Sequence, residues 1–220
     1  MEFMKKIALL IVSLTFIAGC ATITYPPPET KRDGVYHKVN KNETLWNIAK
    51  AYNVTLKSIV DSNRMPDANT IKVGQLIFIP GRKERGRVDI KAISSKYENF
   101  VWPVKGKIIS RFNSLKNASR NKGIDISAPY KQNVVASRSG KVSFCTDSME
   151  GYGRTIIIDH NDGYQTVYAY NSINLVKEGE YVKQNQLIAR VGRSGRAVGP
   201  SLHFEIRKRH DPQNPFYYLP

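Results

Sequence analysis

Two hydrophobic periods divide the chain. Between Tyr36 and Pro80 apolar residues recur at helical spacing, flanked by strand-like ends. Tyr36–Asn40 reads as a strand. Thr44 then precedes Leu45, Ile48, Ala49 and Tyr52, an N-cap followed by one face of a short helix. Thr55 opens a second helix, with Leu56, Ile59 and Val60 on one side, and Asn63 closes it. Ile71–Pro80 turns into a strand that Pro80 stops. The pattern predicts a small α+β module, βααβ, over residues 35–81. Beyond residue 100 the period becomes two. Apolar blocks of strand length stand at Val104–Ile109, Val134–Ala136, Val142–Cys145, Thr155–Asp159, Thr166–Tyr170, Leu187–Val191 and Leu202–Ile206. Gly140, Gly151, Gly153, Asn161-Asp162-Gly163, Gly179, Gly192 and Gly195 punctuate them. A mainly antiparallel β domain over residues 100–220 follows. Gly151-Tyr152-Gly153 is too short to mean more than a turn.

The N-terminus follows neither period. Lys5 and Lys6 precede a short apolar run, Ile7–Ile17, that ends in Ala18-Gly19-Cys20. This is a secretory signal, too short to span a bilayer. A Cys directly after small residues has the form of a bacterial lipobox, so residues 1–19 are expected to be removed and Cys20 acylated. Several acyl chains on one residue would anchor the protein stably. Residues 20–34, with Pro26-Pro27-Pro28, read as an extended tether. With Cys20 lipidated, Cys145 has no intrachain partner, and its strand-like setting predicts a buried, inert thiol.

Charge narrows the partners. Thirty-four basic residues against 18 acidic ones give a formal net charge of +16 over 220 residues. Nucleic acid, anionic lipid and an acidic polymer such as peptidoglycan would all fit that excess. A secretory signal favours the envelope, and the chain has no nucleic-acid motif and no phosphate-binding glycine loop. Residues 82–99 form a basic linker, where Arg82, Lys83, Arg85, Arg87, Lys91 and Lys96 stand with Glu84 and Asp89. It reads as a solvated spacer or as a contact to anionic glycan or lipid.

Two sets of words carry family resemblances. Glu43-Thr44-Leu45-Trp46-Asn47-Ile48-Ala49 and Ile71–Pro80 resemble the LysM module, which binds N-acetylglucosamine-containing glycans such as peptidoglycan. By that resemblance Asn42, Glu43, Thr44, Asn69 and Ile71 are the candidate glycan contacts. Trp46 invites sugar stacking, but its place on the first helix favours packing. Further on, Asn121-Lys122-Gly123-Ile124-Asp125, Tyr168-Ala169-Tyr170 and Ser201-Leu202-His203-Phe204-Glu205 resemble the signature motifs of the lysostaphin/LytM-type zinc peptidases, which cut peptidoglycan cross-links. That family's motifs read H-x-G-x-D, Y-x-H and H-x-H-F-E. Asn121, Tyr170 and Ser201 therefore replace three histidines, and only Asp125 and His203 remain as vestigial ligand positions.

Catalytic zinc wants three protein ligands and an open position. An Asn carbonyl is a poor third ligand beside imidazole, and neither Tyr170 nor Ser201 can do acid–base work near neutral pH. The other histidines do not rescue the site. His37 belongs to the LysM module, His210 to the tail, and His160 to a position where this family often has a non-ligand histidine. No metal or other cofactor is expected, and no enzyme. LysM followed by a degenerate LytM domain on a lipoprotein, ending in Asn214–Pro220, resembles the NlpD-type murein hydrolase activators. That resemblance implies an outer-membrane lipoprotein facing the periplasm, with peptidoglycan and an N-acetylmuramoyl-L-alanine amidase as partners in daughter-cell separation. The amidase would enter a groove lined by Arg111, Asn121, Asp125, Tyr170, Ser201 and His203. Two other readings stay open: a residual zinc endopeptidase, the one case that would need zinc, and a non-catalytic wall anchor.

Overall fold

The computed structural model describes residues 33–66, 71–81, 98–116 and 119–220. Cys20 and its signal, the Pro-rich tether, Asn69 and the basic stretch of the linker lie outside them. Asp33–Pro220 forms one compact unit.

The first part is βααβ, as the periodicity predicts. Strand β1 (Gly34–Lys38) pairs antiparallel with β2 (Leu76–Pro80), Tyr36 facing Phe78. Helices α1 (Leu45–Tyr52) and α2 (Leu56–Ser62) lie between them. Both predicted caps form. The Thr44 hydroxyl accepts from the Asn47 N–H at 3.2 Å, and that of Thr55 from Ser58 at 3.0 Å, each satisfying a donor the helix leaves open. Asn63 ends α2 and also staples it to β2. Its amide donates to the carbonyls of Ile59 and Phe78, and its oxygen accepts from the Phe78 N–H.

The second part is a mainly antiparallel sheet. Its strands are β3 (Lys107–Ser110), β6 (Ile124–Ser127), β8 (Gly140–Met149), β9 (Gly153–Asp159), β10 (Tyr164–Asn171), β12 (Tyr181–Val182), β14 (Ser201–Lys208) and β15 (Asp211–Gln213). The order across the sheet is β12-β8-β9-β10-β14-β6-β3, with β15 on β14. A smaller sheet, β11 (Ile173–Asn174), β13 (Leu187–Arg190) and β7 (Asn133–Val135), and a short hairpin, β4 (Leu115–Lys116) with β5 (Ser119–Arg120), complete it.

Alternation along β6, β10 and β14 decides which face is core. Ile124, Ile126, Tyr168, Leu202, Phe204 and Ile206 all point inward and are at most 1% exposed. Tyr168 and Phe204 face each other across the β10–β14 pair, ring centroids 5.4 Å apart. The one polar atom on Tyr168, its hydroxyl, accepts the Ser137 N–H at 2.7 Å, so its burial leaves nothing unsatisfied.

Candidate functional site

The opposite face of the same three strands carries the chemistry. On β14 the residues alternating with the core are Ser201, His203, Glu205 and Arg207; on β6 they are Asp125 and Ser127. The antiparallel register sets His203 directly across from Asp125, where side chains lie within reach. Gly123 permits that register: a Cβ there would stand 2.1 Å from the Phe204 carbonyl oxygen.

His203 is held at both ring nitrogens. Nδ1 lies 2.7 Å from Asp125 Oδ1, and Nε2 lies 2.9 Å from Glu205 Oε1. An ionised carboxylate can only accept, so both nitrogens donate and the ring is an imidazolium. Burial alone would lower the His203 pKa, but hydrogen bonds and charge from Asp125 and Glu205 raise it above 6.5. Glu205 is fully buried. Burial would push its pKa up, yet His203 and then Arg207 bring it down to about 2. Its Oε1 also accepts the Tyr152 hydroxyl at 2.8 Å, and Oε2 accepts Arg207 Nε at 2.6 Å. Two carboxylates and two cations thus form a charge-balanced line beneath the surface. Burial, then the Glu205 charge, raises the Tyr152 pKa.

The vestigial positions surround this line. Asn121 is buried and occupied. Its oxygen accepts the Gly123 N–H at 3.0 Å, while its amide donates to Ser110 Oγ at 2.7 Å. Ser201 is buried, and its hydroxyl turns back to the Gly199 carbonyl at 3.0 Å. Tyr170 needs a separate cause. Strict alternation would put it on the core side with Tyr168. Instead its φ is +68°, uncommon for a non-glycine residue, and the β9–β10 register shifts between Tyr168 and Asn171. Such a bulge re-aims a side chain. The Tyr170 ring comes to lie 5.3 Å from the His203 ring, opposite in chemistry to a ligand but in the right place to cover it.

Above His203 is a cleft of about 220 Å³ bounded by Asn121, Tyr152, Tyr170 and His203, with Arg120, Lys122 and Arg196 against Glu150. Asp125 and Ser201 lie beneath it, 1% and 2% exposed. Arg111 is not among the residues that line it. Its guanidinium lies 5.1 Å over the Phe216 ring, on the C-terminal segment. The cations at the cleft are Arg120, Lys122 and Arg196 instead. Tyr152 is the residue the motifs do not point to. It sits at the tip of the Gly151–Gly153 turn, where both glycines have positive φ, and its ring meets His203 edge-on at 5.3 Å. The turn therefore does more than reverse the chain. Two flanking glycines are the one local sign of it.

Among the described residues, no three His, Cys, Asp or Glu side chains are grouped to hold a metal ion. His160 is remote from the cleft. Its Nδ1 donates to the Ser139 carbonyl at 2.8 Å, so Nε2 accepts from Thr166 Oγ1 at 3.0 Å and the ring is neutral; burial lowers its pKa to about 4. Cys145 is half-buried, less enclosed than the sequence predicts, on a strand whose residues are mostly exposed or half-buried. Its thiol donates to the Val176 carbonyl at 3.3 Å, and burial raises its pKa, which disfavours the reactive thiolate.

The LysM candidates divide. Asn42 is exposed with φ +66° at the loop before α1. Glu43 is tied inward, 2.7 Å from His37 Nε2 and accepting the Asn40 N–H at 2.8 Å; burial opposes, but the Asn40 and His37 contacts hold its pKa below the usual value. Thr44 is 2% exposed, its hydroxyl spent in the cap. Ile71 is half-buried against the core. Trp46 packs, as its helical place predicts, and is 3% exposed.

Comparison with known proteins agrees with both parts. Residues 37–80 match the LysM domain, and residues 119–215 match peptidase family M23. The lipoprotein YgeR of Escherichia coli K12 is 33% identical over 235 residues, which cover 97% of this chain and 92% of that protein. The lipoprotein NlpD/LppB homologue of Pseudomonas aeruginosa is 43% identical over 121 residues, 55% of this chain and 40% of that one. The murein hydrolase activator NlpD of Escherichia coli K12 is 40% identical over 127 residues, 58% and 33%. The chain thus spans a third to two fifths of these two relatives' own length. Among solved structures, a zinc-containing peptidase from Vibrio cholerae superposes with a TM-score of 0.51 at 31% identity, covering 56% of this chain and 41% of that one. The SpoIIQ–SpoIIIAH pore-forming complex does so at 0.51 and 30%, covering 56% and 91%.

Proposed function

Because the chain belongs to the NlpD-type family of lipoproteins that join a LysM domain to an M23 domain, we propose that it activates a wall hydrolase and cuts nothing itself. In this reading the LysM domain holds peptidoglycan, and the cleft over His203 binds and switches on an N-acetylmuramoyl-L-alanine amidase during daughter-cell separation. Cys20 carries the lipid that tethers the protein to the outer membrane, facing the periplasm. Replacing Cys20 by Ala should then release the protein from the membrane fraction.

One observation carries the reading. Of the three ligand positions only Asp125 and His203 keep ligating side chains, one short of the three that catalytic zinc needs. Asn121 in the place of another ligand has both ends of its amide engaged. With Asn121, Tyr170 and Ser201 where the motifs have histidines, the donor set does not fit zinc. What it offers is a concave, basic, aromatic-walled surface, with the Tyr and Arg residues that dominate binding hot spots.

Dye release from purified sacculi tests this, run with the protein alone, with a cognate amidase alone, and with both, each with and without added zinc. Release by the pair well above the amidase alone, and none by the protein alone, is the expected result. Release by the protein alone that a chelator abolishes would establish the endopeptidase instead. Sacculus binding without stimulation would leave a wall anchor.

A further inference from the structure

Helix α1 is buried on two sides. Leu45, Ile48, Ala49 and Tyr52 recur on one face and pack inside the LysM domain. Trp46 lies about 100° around the helix from Leu45, so that face does not explain its burial. What covers it comes from the second domain. Its indole N–H donates to the Tyr164 hydroxyl at 3.2 Å. The rings of Phe100, Tyr164 and Tyr218 stand 5.9, 6.2 and 6.4 Å from it. These three also pack on one another at 5.7 to 6.0 Å. Arg138, paired to Asp162 at 2.8 Å, lays its guanidinium over both Trp46 and Phe100. Lys50 from α1 covers the Trp46 face and Lys208 from β14 the Tyr164 face, 5.6 and 5.7 Å from the ring centres. Tyr218 reaches the cluster because the segment after β15 folds back: Asn214 caps the 3₁₀ turn Pro215–Tyr217, and Phe216, Tyr217, Tyr218 and Leu219 are all buried.

We propose that this aromatic box is a docking interface, with Trp46 as its plug, that makes the LysM and M23 domains a single body. Its partner is not another protein but the C-terminal segment and β10 of the same chain. The fit is that of an interface hot spot: a large amphipathic ring in a desolvated pocket, its one polar atom paired, rimmed by cations over the ring faces. One consequence is that Trp46 is unavailable to sugars. Another rests on the proposed function. A hydrolase held in the cleft would sit at a set position relative to the glycan held by LysM, where a free tether would let it sample a volume.

The test severs the covalent link and asks whether the dock holds. A site-specific protease sequence is inserted within residues 82–97 of the full chain, the protein is cut, and the two fragments are run on gel filtration at micromolar concentration. They should co-elute. Trp46→Ala with Tyr218→Ala should weaken their association by roughly thirtyfold or more, the usual penalty for losing a hot spot. Tyr164→Phe, which keeps every ring and deletes the acceptor of the indole N–H, should weaken it by roughly three- to tenfold. Separation of the cut wild-type fragments would overturn the proposal, whether or not the alanine variants fold. No amidase enters this experiment. Co-elution in a protein that fails to stimulate an amidase would keep the dock and remove the activator reading; separation in one that does stimulate would do the reverse.

Discussion

Replacing Glu205 by Gln should cost this protein about 3–5 kcal/mol near pH 6, the loss seen when one partner of a buried ion pair is removed. Gln matches Glu in shape, so the change tests charge and not volume. Glu205 is fully buried and takes three charge-assisted or polar hydrogen bonds, from His203, Tyr152 and Arg207. The Gln oxygen can still serve His203 and Tyr152. The Gln nitrogen would face Arg207 Nε, donor against donor, and the site would carry one positive charge too many. His203 can relieve part of that by giving up its proton, so the loss is expected at the lower end of the range. The pH dependence fixes the sign. The Glu205 pKa is lowered to about 2 in the fold, so its contribution is present above 4.5 and fades as pH falls from there toward 2. The His203 pKa is raised, so its contribution is present below 6.5 and is lost as pH rises through the folded value. The difference between wild type and Glu205→Gln should therefore be greatest between about pH 4.5 and 6.5 and shrink toward pH 3. Urea denaturation across this range measures it. NMR of the His203 ring should show a lower titration in the variant. A loss below about 1 kcal/mol near pH 6, flat with pH, would mean the buried ion line is not charged as described.

Three further outcomes follow from other parts of the fold. His160 is neutral in the fold with a pKa of about 4, against 6.5 unfolded, so only the unfolded chain takes up its proton as pH drops between them. At about 1.4 kcal/mol per pH unit this removes about 3 kcal/mol of stability by pH 4, and His160→Gln should flatten that part of the curve. Gly192→Ala would put a Cβ 2.2 Å from the Ser172 nitrogen and 2.4 Å from the Tyr170 oxygen, both backbone; a loss of about 2 kcal/mol in thermal melts is expected, and under the proposed function a drop in amidase stimulation with it, since the bulge that aims Tyr170 must move. Thr44→Ala should cost about 1 kcal/mol through its lost cap and leave sacculus binding nearly intact; intact stability with abolished binding would make Thr44 a glycan contact instead.

Short windows of the chain encode local features well. Thr44 and Thr55 start helices because a side-chain oxygen three residues upstream of an N–H is a local geometry. Alternation along Ser201–Arg207 already separates Leu202, Phe204 and Ile206 from Ser201, His203 and Glu205, since the strand period is two. The three missing histidines could be read directly from the motifs. Features that need two distant segments at once came from the assembled fold. His203 became an imidazolium because β14–β6 pairing placed Asp125 opposite it, 78 residues away in the chain. Tyr170 left the core face because a bulge broke the alternation that windows assume. Tyr152 joined the cleft from a turn with no signature beyond its glycines, and Arg111 left it for the ring of Phe216. Trp46 had surplus burial on its helix, and its cover comes from residues 100, 138, 164 and 218. Periodicity can say that a side chain must be buried. It takes the assembled fold to say against what, because the partner is chosen by packing across the whole chain and not by any spacing along it.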